Sequence, residues 1–172
     1  MKQLTLLIAL IFVFTCSYSQ DYENRLKELG IELPEPGVPV ANYVKGVISG
    51  NMVYLAGHGP TLPDGGYITG KVGSDLTEKE GYDAARLAGL AMLSTLKNTI
   101  GDLNRVSRIV KVTGMVNSNP GFTNQPEVIN GFSDLMVEVF GENGKHARSA
   151  VGMASLPRNI CVEIEMIVEL KD

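Results

Sequence analysis

Residues 146–170 read HARSAVGMASLPRNICVEIEMIVEL, and the alternation of their side chains decides what kind of fold this is. Successive side chains on a strand point to opposite faces. Val162, Ile164, Met166, Val168 and Leu170 therefore form one wholly apolar face, and Cys161, Glu163, Glu165, Ile167 and Glu169 form the other. Such a strand predicts a sheet covered by helices on one side only. In the first half of the stretch, Arg148, Ala150, Gly152 and Ala154 alternate with Ser149, Val151 and Met153. With a turn centred on Pro157-Arg158 the two strands form a hairpin in which Arg148 opposes Ile167 and Glu163 opposes Gly152. Arg148, the small residues and Glu163 then share the face without helices. On this register guanidinium and carboxylate stand about 13 Å apart, at roughly 3.3 Å per residue, too far for an ion pair. The span suits a small organic anion with water, a seam completed by a neighbouring subunit, or a solvated face whose charges carry no function.

Working outward, LTEKEGYDAARLAGLAMLSTLKNTIG (76–101) has Thr77 and Glu80 spaced as a capping box, with Ala84, Leu87, Ala88 and Ala91 at helical spacing up to Gly101. SRIVKVTGMV (107–116) follows as a strand with Val110, Val112 and Val116 on one face. A second helix is expected from near Pro126 to Phe140, its apolar side made by Val128, Ile129, Phe132, Leu135, Met136 and Val139. Before the first long helix, VKGVI and MVYLAG are β-prone runs joined at Ser49-Gly50-Asn51, and residues 57–75 form a Gly- and Pro-rich loop. The order β-β-α-β-α-β-β gives an α+β fold, two helices on one face of a mixed, mostly antiparallel sheet.

Residues 1–19 carry a basic start at Lys2, an apolar run to Phe14 and small residues at Ser17 and Ser19, which predicts a secretory signal peptide and an exported protein, periplasmic or secreted. A lipid anchor at Cys16 is disfavoured by Thr15 before it. A short helix ending at Gly30 and a proline-rich segment occupy 20–42, and the α+β domain occupies 43–172. The formal charge of −4 becomes one unit more negative without Lys2, and no Lys/Arg run offers a phosphate-binding stripe, so nucleic acid is not an expected partner. Cys161, His58 and His146 are too few for a structural zinc site. GGYITGKV (65–72) imitates a phosphate loop, but Val72 stands where Ser or Thr is required. Ser149 and Ser155 lie near His146 without a nucleophile elbow.

The Arg-Ser-x-Val, Leu-Pro and Val-Glu-Ile-Glu elements of the quoted stretch resemble the C-terminal signature of the Rid family, also called YjgF-like or L-PSP endoribonuclease-like proteins. The likeness covers roughly residues 40–171, and GHGP (57–60), VINGFSDLMVEVFG (128–141) and HARSAVG (146–152) resemble a branch described as chorismate-mutase-like endoribonucleases. The resemblance implies a chorismate-mutase-like subunit, a homotrimer with ligand clefts between subunits, and cofactor-free, metal-free hydrolysis of 2-imino or enamine acids to 2-oxo acids and ammonia. It also implies that Arg148 binds the substrate carboxylate and Glu163 serves as acid/base. Gly57, His58, Ala150 and Asn130 would fall near the substrate, with Ala150 where the best-known branch carries cysteine and His58 at a glutamine-like position. Tyr43 is the one candidate for that branch's N-terminal tyrosine. His146 reads as a pH-sensitive neighbour of the arginine or as a surface-loop residue. A non-catalytic carboxylate-binding or protein-protecting module and an endoribonuclease remain the alternative readings.

Overall fold

The computed structural model describes residues 21–39 and 41–171; the expected leader lies outside them. Five strands form one sheet in the order β1-β2-β5-β3-β4, where β1 is Gly46–Ser49, β2 Met52–His58, β3 Val106–Asn117, β4 Ala147–Met153 and β5 Val162–Leu170. All pairings are antiparallel except β3 with β4. A short helix α1 (Tyr22–Glu28) precedes the sheet, and α2 (Glu78–Ile100) and α3 (Gln125–Phe140) cover one face of it.

Local chemistry explains the element boundaries. Gly50, at φ +61°, sits in the two-residue turn between the paired Ser49 and Met52. Thr77 caps α2: its hydroxyl accepts from the Glu80 amide at 3.2 Å while the Glu80 carboxylate accepts from the Thr77 amide at 2.8 Å. Gly101, at φ +85°, ends the helix. All six apolar residues expected on α3 are buried. On α2 the buried stripe is Ala84, Ala85, Ala88, Met92, Leu93 and Leu96, with Leu87 and Ala91 only half-buried at its margin. The two helices approach so closely at Gly131 that a Cβ there would collide with the Tyr82 carbonyl.

The apolar face of β5 is sealed under the helices, as its alternation predicts. On β3 a register irregularity between Ile109 and Lys111 shifts the parity, so Ile109, Val112 and Val116 are buried and Val110 is not. Cys161 is completely buried where β5 begins, and burial pushes its thiol up to about 11. At the other end of the chain, α1 packs Tyr22 and Leu26 into the same core, and Glu23 reaches Lys97 on α2 at 2.6 Å.

The expected hairpin at the C-terminal end is overturned. β4 and β5 are not a hairpin, because β3 lies between them. The segment from Leu156 to Cys161 is a wide connection, with Arg158 and Asn159 both at positive φ, and it carries the chain from one side of β3 to the other. The parallel β3–α3–β4 unit leaves β4 at the sheet edge. A Cβ at Gly152 would come within 2.7 Å of Gln125 Nε2 at the start of α3, so that side chain would have to shift to admit it.

Candidate active site

The strand order decides where the two charged candidates point. Arg148 pairs with Val112 on β3, and Val112 pairs with Met166 on β5, so Arg148 belongs to the helix-covered row. Glu163 pairs with Met115, which pairs with Val151, so Glu163 belongs to the open face. The two side chains of one subunit therefore lie on opposite sides of the sheet. This corrects the expectation of a shared face, and it removes a substrate cleft formed between them within a single subunit.

At the sheet edge Arg148 turns its guanidinium to α3. One terminal nitrogen, Nη1, donates to Asn130 Oδ1 at 2.9 Å and to Ser133 Oγ at 3.0 Å. Nε and Nη2 have no partner among the described residues, and no carboxylate there pairs with this cation. A guanidinium carries five N–H donors, and its Nε–Nη2 edge can grip a carboxylate through two parallel bonds. Beside it lies a shallow groove of about 320 Å³ lined by Ser133, Val137, Lys145, His146 and Arg148.

On the open face Glu163 is half-buried, and neither a donor nor a cation among the described residues reaches its carboxylate. Burial, followed by the nearby charge of Glu165, raises its pKa above the usual carboxylate range. Glu165 is more exposed and has no resolved partner either. Gly57 sits across from Glu163 in the irregular stretch of β2 between Leu55 and His58. A side chain at 57 would overlap Glu163 Oε1, so glycine is what lets the carboxylate lie there.

His58 does not reach this face, which corrects its expected contact with substrate. It is 3 % exposed and points under α2, with Nδ1 2.7 Å from the Ala56 carbonyl and Nε2 2.7 Å from Thr95 Oγ1. Burial lowers its pKa to about 4, so the ring is neutral and anchors the irregular stretch of β2 from behind. Asn130 is brought to the site through Arg148, while its amide nitrogen donates to Glu127 at 2.9 Å. Ala150 follows Arg148 on the same row of the edge strand and packs against the core. Tyr43 is half-exposed ahead of β1. His146 is partly buried, 2.6 Å from the Gly144 carbonyl and 3.1 Å from Ser133 Oγ. Burial, then the charge of Arg148, holds its pKa below the ordinary histidine value. Ser133 joins this site although no sequence motif marks it. Its one signal is a position three residues after Asn130, which puts both side chains on the same face of α3. Among the described residues no group of three or more His, Cys, Asp or Glu side chains could hold a metal ion, and no helix is long and apolar enough to cross a membrane.

Comparison with known proteins adds four findings. The family model described as "YjgF/chorismate_mutase-like, putative endoribonuclease" matches residues 23–170. The chain is 47 % identical over 148 residues to Protein TCP17 of Trypanosoma cruzi, covering 86 % of this chain and 92 % of that protein. It is 30 % identical over 142 residues to the 2-iminobutanoate/2-iminopropanoate deaminase of Dermatophagoides farinae, covering 82 % and 95 % respectively. Among solved structures, protein Atu1372 of Agrobacterium tumefaciens, described as of unknown function, superposes with a TM-score of 0.80 at 46 % identity over 89 % of this chain and 96 % of that one.

Proposed function

The chain belongs to the YjgF (Rid) family and has its chorismate-mutase-like fold, and we propose that it hydrolyses small 2-imino or enamine carboxylic acids to 2-oxo acids and ammonia. The observation that carries this reading is a pair of charges unmet among the described residues: a guanidinium with a free fork and a raised-pKa carboxylate with no donor. The free edge of Arg148 clamps the substrate carboxylate. Water adds to the C=N carbon, the resulting amino alcohol loses ammonia, and Glu163 moves the proton from the water to the departing nitrogen. A carboxyl group whose pKa lies nearer neutrality suits both directions of that transfer.

Because Arg148 and Glu163 of one subunit lie on opposite sides of the sheet, the reading requires two copies at each site. Arg148 of one subunit, at the edge strand, faces Glu163 and Gly57 on the open face of its neighbour. Repeated head to tail and closed, this gives a homotrimer with three clefts. Tyr54, Val47 and Val151 keep 43–49 % of their surface exposed on the open face, which supports burial of that face on assembly. Export through residues 1–19 belongs to the same proposal, and fractionation of cells expressing the full chain tests it.

Ammonia release from imines made in situ by an amino-acid oxidase is the direct test. Arg148→Ala and Glu163→Gln should each lose activity about 10²-fold or more without loss of fold. Unfolding and refolding the two inactive variants together should restore roughly a quarter of the sites, those that combine an intact arginine with a neighbour's intact glutamate. Equal rates for wild type and both variants would refute the mechanism, and failure to complement would refute the shared cleft. Binding of 2-oxo acids that depends on Arg148, without turnover of any imine, would instead identify a carboxylate-binding module.

A further inference from the structure

We infer that Ser133 and His146 are positioning residues that fix the guanidinium plane of Arg148 and leave its Nε–Nη2 edge free for a carboxylate. The inference rests on the reading of Arg148 as the carboxylate clamp and adds the device that prepares it.

Hydrogen-bond direction follows from the partners. The Gly144 carbonyl can only accept, so His146 Nδ1, 2.6 Å away, carries the ring proton. In a neutral ring Nε2 is then an acceptor, and Ser133, at 3.1 Å, must donate its hydroxyl hydrogen to it. That turns the lone pairs of Ser133 Oγ toward Arg148 Nη1, which donates at 3.0 Å. The second hydrogen of Nη1 goes to Asn130 Oδ1 at 2.9 Å. Both hydrogens of Nη1 are thereby committed, and two acceptors at two points on α3 set the plane of the group. The remaining three N–H groups have no partner among the described residues.

The anchor is itself held. The turn Gly141–Gly144 folds back on α3 so tightly that a Cβ at Gly144 would strike the Met136 carbonyl. The Phe132 ring meets His146 edge to face at 6.3 Å between centroids. The histidine is thus fixed by α3 and by the turn that follows it. A serine alone could rotate its hydroxyl hydrogen toward solvent; with His146 accepting that hydrogen, Ser133 presents only lone pairs to the cation. A fork held in place before substrate arrives does not have to be ordered on binding.

The test uses the full chain with Ser133→Ala, Ser133→Thr and Arg148→Ala, read by calorimetric binding of pyruvate, by steady-state kinetics on the imine substrates and by ¹⁵N NMR. Ala at 133 is the stronger helix former, so the fold should survive. Pyruvate binding is expected to weaken about tenfold in Ser133→Ala, with KM raised and kcat retained, and Thr, which keeps the hydroxyl, should restore both. The NMR spectra should show His146 protonated at Nδ1, and the Arg148 Nη hydrogens held in the wild type and freely exchanging in Ser133→Ala. Unchanged pyruvate affinity in Ser133→Ala, beside a loss in Arg148→Ala, would overturn the inference, as would a His146 ring protonated at Nε2. If Arg148→Ala leaves pyruvate binding unaltered, the clamp reading fails instead. Arg148 hydrogens equally mobile in wild type and Ser133→Ala would then still overturn the positioning role, and hydrogens held only in the wild type would support it.

Discussion

Under α2 and α3 the sheet presents Val112, Val116, Ile164 and Met166, none more than 1 % exposed, and the buried polar groups there are bonded: His58 to Thr95, and the Ser94 hydroxyl to the Pro34 carbonyl. On the reverse side Tyr54 and Val151 stand exposed by 48 % and 43 %, and Glu163 is half-buried with no donor among the described residues. One set of strands thus makes a finished surface and an unfinished one. Among the described residues no buried side-chain nitrogen or oxygen lacks a partner, so what is unfinished lies at the surface, where another molecule can meet it.

The contrast can be broken most forcefully from the finished side. Gly131→Ala should destabilise the subunit by roughly 3 kcal/mol or more, measured by urea unfolding, because the obstacle is Tyr82 backbone and cannot rotate away. A loss below about 1 kcal/mol would mean that the helix pair can separate. Acid should act next. His58 has a folded pKa near 4 against an ordinary 6.5, so the unfolded chain binds the proton first. Stability is then full above about pH 6.5 and declines as pH falls toward 4, by about 2 kcal/mol at pH 5. His58→Gln should flatten that portion of the pH profile, and an unaltered slope would show that another group titrates there. Glu163 has the opposite sign. Its folded pKa is raised, so ionising it costs stability as pH climbs above the ordinary carboxylate value, and Glu163→Gln should leave the melting temperature at pH 7 unchanged or higher. The smallest effect is expected from Val151→Ser, within about 0.5 kcal/mol for an isolated subunit, while the proposed trimer should dissociate in analytical ultracentrifugation. A large loss in the isolated subunit would mean that Val151 already belongs to a packed core.

Much of the finished side could be read from the chain. The Thr77–Glu80 box, the apolar periodicity of α3 and the strict alternation of Val162 to Leu170 are local patterns, and each fixes an element or a face by itself. The placement of Arg148 could not be read that way. Alternation relates residues within a strand and says nothing about which strand lies beside it. A parallel neighbour such as β3 leaves no turn signal, whereas Leu-Pro between two β-prone runs suggests a hairpin. Inserting β3 sent Arg148 to the other face. His58 misled for a related reason: the irregular register after Leu55 turns it inward although the stretch around it looks like a loop rim. Ser133 and His146 lie 13 positions apart on different elements, and only the closure of the turn after α3 brings them together.

The sealed environment of Cys161 has a practical consequence. With a thiol shifted to about 11, only about one molecule in 10⁴ carries the reactive sulfur anion at neutral pH, and that anion has no route to solvent. Samples kept in air without reductant should not cross-link through this residue, and alkylating reagents should label it only once the domain has opened, which makes it a built-in reporter of unfolding.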